Sequence, residues 1–275
     1  MTKLHNTQMS IQSLRHSKQT QRKLESNSRK LSSGSRITQA SDDAAGLSIA
    51  AKLNSQNRSK DQANRNVNQA VSIVQVMDGV LNEMSSMVIR VRELAIQSAS
   101  DTYSNQERTL MNMEASQLLQ EIKRTSESTK YQDHYVFKGE NKKLDIQVDT
   151  HNGSQDRLSL NLEEFAQNPL SLGINDVSLD TKLHAQLSLV KLDYAQKEIS
   201  KSRAKVGAFM SRLETTSSKL GSDTTNGKAA HSKIKDADYA NQTAKNVKDK
   251  LVQSAQTMVQ AQINGSGSDY LKLLG

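Results

Sequence analysis

Apolar residues recur every three or four positions along most of this chain, the spacing that places them on one face of an α-helix. The clearest run extends from Val67 to Ala95, and Gly79 is its only weak helix former. This run predicts one long helix over about 44–99. A narrow apolar stripe buries little surface on an isolated helix, so such a helix needs a partner. The pattern therefore predicts long helices packed side by side.

The second half of the chain carries a matching seven-residue repeat. From Leu192 to Leu220 this repeat is strict, and it predicts a returning helix that begins near Lys182. We assign to the bundle core the residues Val67, Val74, Leu81, Val88, Leu192, Ile199, Val206 and Leu213. An offset spacing at Leu183, Leu187, Val190 and Tyr194 predicts a shift of register. The polar stretch 221–227 predicts a hinge before a last helix that starts near Asp236.

Both ends of the chain carry weaker stripes of the same kind. The C-terminal stripe consists of Ala244, Val247, Leu251, Ser254, Met258 and Ala261, and the N-terminal one of Leu4, Ile11, Leu14, Leu24 and Leu31. Such helices need each other, or neighbouring copies, to stay ordered. We therefore assign to terminal assembly helices the residues Leu4, Ile11, Leu14, Val247, Leu251 and Met258. This arrangement is typical of a fibre.

Between the long helices the pattern changes. Ser104 and Glu107 form a capping-box sequence, which predicts a helix to about 127. Over about 144–162, apolar and polar residues alternate on both sides of Asn152-Gly153, a turn signal because both residues accept positive φ, which predicts a β-hairpin. The fold class is mainly α, with long antiparallel helices in a coiled-coil bundle formed by the N- and C-terminal segments and one small hairpin. We expect two domains, a discontinuous terminal-helix domain (1–40 plus 236–275) and a helical-bundle domain (41–235).

Composition narrows the range of functions. The 275 residues include no Cys and one Pro, and the aromatic share is 3%, which argues against a single large globular core and excludes thiolate metal sites. No apolar run has the length of a membrane span or of a signal peptide. The net charge of +8 comes from residues 1–60, but no aromatic residue is interleaved there to stack on bases. We therefore expect no membrane span, no nucleic acid and a solvated basic face.

Residues that could carry chemistry have simpler explanations. The six His residues are not spaced as metal ligands, and no glycine-rich phosphate loop is present. Asp42 and Asp43 follow Ser41 directly, where carboxylates favour a helix N-terminus. We expect no enzyme activity, no cofactor and no metal.

Several motifs resemble the signatures of bacterial flagellins, in the family order. They are LSSGSRI at 31–37, DDAAGLSIA at 42–50, LNEM at 81–84, RVRELAIQSA at 90–99 and IKDADYA at 234–240. The similarity covers about 1–165 and 180–275. It implies a flagellar filament subunit whose terminal segments form an inner tubular domain. Only about 20 residues separate the hairpin from the returning helix, which implies a minimal form without the variable outer domains.

The resemblance also implies partners and a location. The subunit would form a helical homopolymer in the extracellular bacterial flagellum, after type III export as an unfolded chain. Other flagellin subunits, a filament cap, junction proteins and an export chaperone are further expected partners. In family members that vertebrate innate immunity detects, the receptor contacts correspond to Arg90, Leu94 and Glu114. Because Arg90 and Leu94 lie off the heptad positions, one turn apart, an exposed patch is expected there.

Three alternatives remain at the level of the sequence. A hook–filament junction protein shares the terminal motifs and the helical layout. An intracellular coiled-coil scaffold would account for the heptads but not for the hairpin or the DDAAG block. An enzyme would need a constellation of reactive residues that we do not find.

Overall fold

The computed structural model describes residues 2–132, 134–138, 143–165 and 168–272, with the side chains of 2–7, 134, 264 and 266–272 left out. The helices are α1 (Thr2–Ser33), α2 (Ala44–Ala99), α3 (Asn105–Ser128), α4 (Lys182–Lys235) and α5 (Tyr239–Lys272). The strands are β1 (Lys130–Tyr131), β2 (His134–Tyr135), β3 (Lys143–Gln147) and β4 (Arg157–Asn161). The mainly α fold with long helices is confirmed.

The chain divides into two compact units. One comprises Met1–Asn57 with Thr225–Gly275, and the other comprises Arg58–Thr224. The boundaries fall within α2 and α4, which each contribute to both units. The sequence placed the domain boundaries at the connections that precede α2 and follow α4, and that two-domain division stays a proposal.

The unit Arg58–Thr224 contains one continuous apolar core. All eight residues assigned to the bundle core lie in it, each at most 2% exposed. Phe137 and Ile122 join it from the strand segment and from α3, and both are fully buried. Residues 168–181, which precede α4, have no regular secondary structure, yet Leu172, Ile174 and Leu179 among them are also buried. A spacing of seven residues was thus sufficient to identify the bundle core, but not the side chains that cover its sides.

Polar contacts along the flanks of the core align α2 and α4. In order along α2, the pairs are Asn64 with Ser217, Asp78 with Arg203, Ser85 with Gln196 and Arg92 with Asp193. Residue numbers rise along α2 as they fall along α4, so the two helices are antiparallel. These contacts are exposed or half-buried, and each adds little stability by comparison with the core.

The predicted hinge at 221–227 is wrong, because α4 runs without interruption to Lys235. Leu220 and Thr224 are buried there, and their packing offsets the low helix propensity of Gly221 and Gly227. Gly227 also serves close packing. A side chain at this position would collide with the amide of Asn57 on α2. The last helix begins at Tyr239, three residues after the predicted start.

The predicted β-hairpin is present, but its turn differs. β3 and β4 pair antiparallel from Lys143 with Asn161 to Gln147 with Arg157. The nine-residue connection between them contains a 3-10 turn at Ser154–Asp156, and Gly153 has a φ of −76°. Asn152 and Gly153 therefore do not adopt the positive φ that made this pair a turn signal, because a connection of this length does not need it. β1 and β2 form a second, two-residue antiparallel pair that the sequence analysis missed.

The capping box that starts α3 is confirmed. The backbone N–H of Glu107 donates to Ser104 Oγ at 3.4 Å, and the N–H of Ser104 donates to the Glu107 carboxylate at 2.7 Å. On the core face of this helix Met111 and Ala115 are buried.

Two short connections in the other unit are joined to each other. α1 ends at Ser33, and the next residue, Gly34, has a φ of +65°, which favours glycine. Ser35 then forms a β-bridge with Asp236, and the N–H of Arg36 donates to the Lys235 carbonyl at 2.6 Å. The α1–α2 connection is thereby held against the α4–α5 connection.

Asp42 organises the loop before α2, and its protonation should weaken this unit. The N–H and hydroxyl of Thr38 and the N–H of Gln39 donate to Asp42 Oδ2, and Lys30 Nζ lies 3.7 Å from Oδ1. The backbone N–H of Thr38, first among these, holds the pKa of the Asp42 carboxyl below its usual value. A lowered folded-state pKa stabilises the fold above the unfolded-state pKa of about 3.9, and this contribution is lost as the pH falls through the folded-state pKa.

We therefore expect Asp42→Asn to lower the free energy of unfolding most at neutral pH. Urea unfolding of both proteins at neutral pH and in acid measures this difference. It should shrink in acid, and an equal loss at both pH values would contradict the role of the charged carboxylate.

Candidate assembly surfaces

α5 faces α1 with polar side chains. Asn27 on α1 donates to the Asp249 carboxylate at 2.7 Å and accepts from the Gln242 amide at 2.6 Å. Gln260 donates to Ser10 at 3.2 Å nearer the chain ends. Asn246 is 7% exposed and donates to Ser28. Polar pairs of this kind select a register but contribute little net stability, since both partners are also solvated when the helices separate.

The apolar stripe of α5 points elsewhere. Val247, Leu251 and Met258 are 52%, 68% and 73% exposed. Val247 follows Asn246 directly, and at 3.6 residues per turn its side chain lies about 100° further round the helix axis. Of the two covers expected for this stripe, the other terminus or neighbouring copies, the first does not apply, because α1 packs on the polar face of α5. In the described part of the chain nothing covers it.

α1 also presents apolar side chains to solvent. Ile11 and Leu14 are 45% and 49% exposed, and the side chain of Leu4 lies outside the described residues. Leu24, nearer the end of α1, is buried. We call five of the exposed apolar residues on the two helices the terminal surface; they are Ile11, Leu14, Val247, Leu251 and Met258.

A second exposed apolar surface lies at the start of α4. It consists of Leu183, Leu187, Val190 and Tyr194, each more than half exposed, and we call it the bundle stripe. The predicted register shift is wrong. Ala185 and Ser188 are buried and continue the spacing of the core back from Leu192. Small core residues concealed this register in the sequence, while the larger apolar residues beside them face outward.

Arg90 and Glu114 form an exposed ion pair between α2 and α3. Their nitrogen and oxygen atoms are 2.8 Å apart, and each side chain is about half exposed. The Glu114 carboxylate raises the pKa of the Arg90 guanidinium. Leu94 does not join this pair at the surface, as it is 2% exposed and lies in the core. The expected exposed patch of all three residues is therefore corrected to Arg90 and Glu114.

The polar face between α1 and α5 was missed by the sequence analysis, although a signal for it exists. Asn246, Gln253 and Gln260 recur at intervals of seven, as do Gln242, Asp249 and Gln256. These repeats are polar, so the apolar heptads gave no sign of them. Polar residues at these positions specify register at a cost in stability.

Neither a membrane span nor a metal cluster emerges from the described residues. None of the helices described combines the length and the apolar character that a bilayer-spanning segment requires. In the same part of the chain, no three His, Asp or Glu residues lie close enough to hold a metal ion.

Comparisons with known families match both ends of the chain. The bacterial flagellin N-terminal helical region matches residues 5–142, and the bacterial flagellin C-terminal helical region matches residues 189–274. A flagellin of Halalkalibacterium halodurans is 33% identical over 86% of this chain and 87% of its own length. The flagellar filament 31.3 kDa core protein of Treponema maltophilum is 30% identical, with the same coverage of each chain.

Two solved structures have a similar fold. The crystal structure of Bacillus cereus flagellin is 26% identical, with a TM-score of 0.51, and covers 61% of this chain and 94% of its own. A proposed flagellar hook-associated protein from Vibrio parahaemolyticus has a TM-score of 0.58 and covers 71% of this chain and 100% of its own. Its identity is 13%, so this second likeness concerns the fold alone.

Proposed function

Because the chain belongs to the bacterial flagellin family, we propose that it is the subunit that polymerises into the bacterial flagellar filament. The observation that carries this proposal is the terminal surface, whose apolar side chains have no cover from the rest of the described chain. Burying a large apolar side chain on association stabilises the assembly by about 1.5–3 kcal/mol. A row of them on each subunit provides a strong driving force for polymerisation.

The chain carries two different apolar surfaces that are suited to contacts between successive copies. The terminal surface and the bundle stripe lie on different helices and in different compact units. Contacts that join different patches on successive copies form a ring if their rotation closes and an open helical filament if it does not, and we propose the open filament for this chain. We propose that 1–40 and 236–275 form the inner tube of this filament and that 41–235 surrounds it.

The function is then mechanical. A rotating filament transmits torque, and small shifts between packed helices would change its supercoil. The flagellins are a structural family, and we propose no enzymatic activity and no cofactor for this member. We place it outside the cell, after export through a type III channel, with a chaperone, the filament cap, junction proteins and other flagellins as further partners.

Seeded polymerisation tests the proposal. Purified monomer should elongate short filament seeds into long tubes that are visible by electron microscopy. A hook–filament junction protein would instead yield short stubs or capped rings. Monomer that stays soluble on intact seeds, at concentrations where the seed protein itself elongates, would contradict the filament function.

We also propose that the exposed Arg90–Glu114 pair is the part of the receptor patch that innate immunity could contact. Arg90→Ala should lower the response of receptor-expressing reporter cells to monomer, because it removes a charged and exposed contact. Arg124 pairs with Glu121 on α3 in a similar exposed geometry, so Arg124→Ala is the matched control. Assembled filament should be silent if neighbouring subunits cover the pair. Equal signals from the parent monomer, the Arg90→Ala monomer and the filament would exclude this surface.

A further inference from the structure

The connection between β3 and β4 places three polar groups around one peptide bond. Asn152 is exposed and is followed by Gly153. The backbone N–H of Gly153 donates to Asp156 Oδ2 at 2.9 Å. On the other side, the Arg157 guanidinium donates to the side-chain carbonyl oxygen of Asn152. The Asp156 carboxylate thus accepts a hydrogen bond from the Gly153 nitrogen, and the Arg157 cation donates one to the side-chain carbonyl of Asn152.

These contacts match the requirements for cyclisation of an asparagine. The reaction needs a nucleophilic main-chain nitrogen, a base for its proton and a polarised side-chain carbonyl. Asp156 lies within the distance from which a general base accepts a proton. Arg157 is placed to stabilise negative charge on the carbonyl oxygen as the nitrogen attacks. Gly153 has no Cβ to obstruct the approach of the side chain.

We propose that Asn152 is a self-modification site, at which the protein deamidates through a succinimide without an enzyme. The Gly153 nitrogen bonds to Cγ of Asn152 while its proton passes to the Asp156 carboxylate. The bond from Cγ to Nδ2 then breaks, and the side-chain nitrogen takes the proton from Asp156 and leaves as ammonia. Water opens the five-membered ring at either carbonyl, giving aspartate or isoaspartate at position 152.

The chain contains an internal comparison for this site. Asn226-Gly227 has the same two residues, and Asn226 is also exposed. It lies within α4, where helical geometry directs the nitrogen of Gly227 to a carbonyl four residues earlier. The side chain of Asn57 also packs against Gly227. The helix keeps the Gly227 nitrogen away from the side chain of Asn226, so Asn226 should deamidate more slowly than Asn152.

Modification would change the charge and the backbone of an ordered connection. A carboxylate in place of the Asn152 amide would form an ion pair with Arg157. Isoaspartate would add one methylene to the main chain between two anchors. One anchor is the hydrogen bond from Val148 N to the Asp156 carbonyl at 2.8 Å, and the other is that from Asn66 on α2 to the Gln147 carbonyl at 3.2 Å.

Peptide mapping by mass spectrometry of the folded, full-length protein tests the proposal. After incubation at neutral pH, deamidation and isoaspartate should accumulate at Asn152 about tenfold faster than at Asn226. A factor of ten in rate corresponds to about 1.4 kcal/mol of activation free energy. In denaturant the two sites should react at similar rates, because unfolding removes the contacts that distinguish them and leaves the same Asn-Gly pair at each site.

Two variants separate the mechanism from simple exposure of the loop. Asp156→Asn and Arg157→Gln should each slow the reaction at Asn152 by about tenfold, with circular dichroism confirming that both are folded. Asp145→Asn is the matched control, since Asp145 is a carboxylate of the same hairpin that bonds to Ser159 and not to this site. Equal rates at Asn152 and Asn226 in the folded protein, or a parent-like rate at Asn152 in both variants, would overturn the proposal.

Discussion

Leu81→Ala should lower the free energy of unfolding of the monomer by about 2–5 kcal/mol. Leu81 is fully buried at the middle of the continuous core on α2. Truncation removes its apolar contacts and leaves a cavity that the surrounding long helices cannot easily fill. Urea unfolding measures the loss as a lower midpoint with an unchanged slope.

Leu187→Ala is the matched control for this change. Leu187 is also a leucine in a long helix, but it is 57% exposed on the bundle stripe. Its truncation should change the stability of the monomer by no more than about 0.5 kcal/mol. Similar losses for the two variants would mean that Leu81 does not lie in a packed core.

Leu251→Gln should leave the monomer folded and should raise the concentration needed for polymerisation by about tenfold or more. Leu251 is 68% exposed on α5 and makes little contact within its own chain. A glutamine there keeps the helix propensity of the position, but it loses the burial expected between subunits. That burial is worth about 1.5–3 kcal/mol for a leucine, and about 1.4 kcal/mol corresponds to a factor of ten.

Sedimentation of seeded mixtures over a range of protein concentrations measures this effect. Lys248→Gln, at another exposed position on α5, introduces the same residue outside the terminal surface and should polymerise like the parent. A parent-like critical concentration for Leu251→Gln would remove this surface from the assembly.

Long periodic elements were the most predictable part of this fold. The predicted span of about 44–99 and the predicted start near Lys182 coincide with α2 and α4. Over many helical turns, the consistent spacing of apolar residues outweighs the low helix propensity of a single residue such as Gly79. Local motifs were also predictable where two groups close in sequence bond to each other, as in the capping box of Ser104 and Glu107.

Errors arose where tertiary packing overrides a local preference. Gly221 and Gly227 are weak helix formers, yet α4 continues through both because the packing of neighbouring residues stabilises the helix. Leu94 appeared to lie off the stripe of α2. It is buried because α2 has more than one neighbour, and a helix with several neighbours buries more than one narrow face.

The candidate surfaces show the same limit. Spacing identified Val247, Leu251 and Met258 as one face of a helix, but it contained no information on which element covers that face. Hydrogen bonds from Asn27 and other polar residues direct α1 to a different side of α5. The apolar face is exposed as a result.

By itself, the sequence determined the helical class, the long antiparallel pair, the hairpin and the family, because these follow from periodicity and from contiguous motifs. Only the tertiary structure decided which apolar stripes are buried within the chain and which are left for other copies. The physical reason is that periodicity describes one helix at a time, whereas burial depends on its neighbours. Leu187 and Leu192 are both apolar residues of α4, but packing buries only the second.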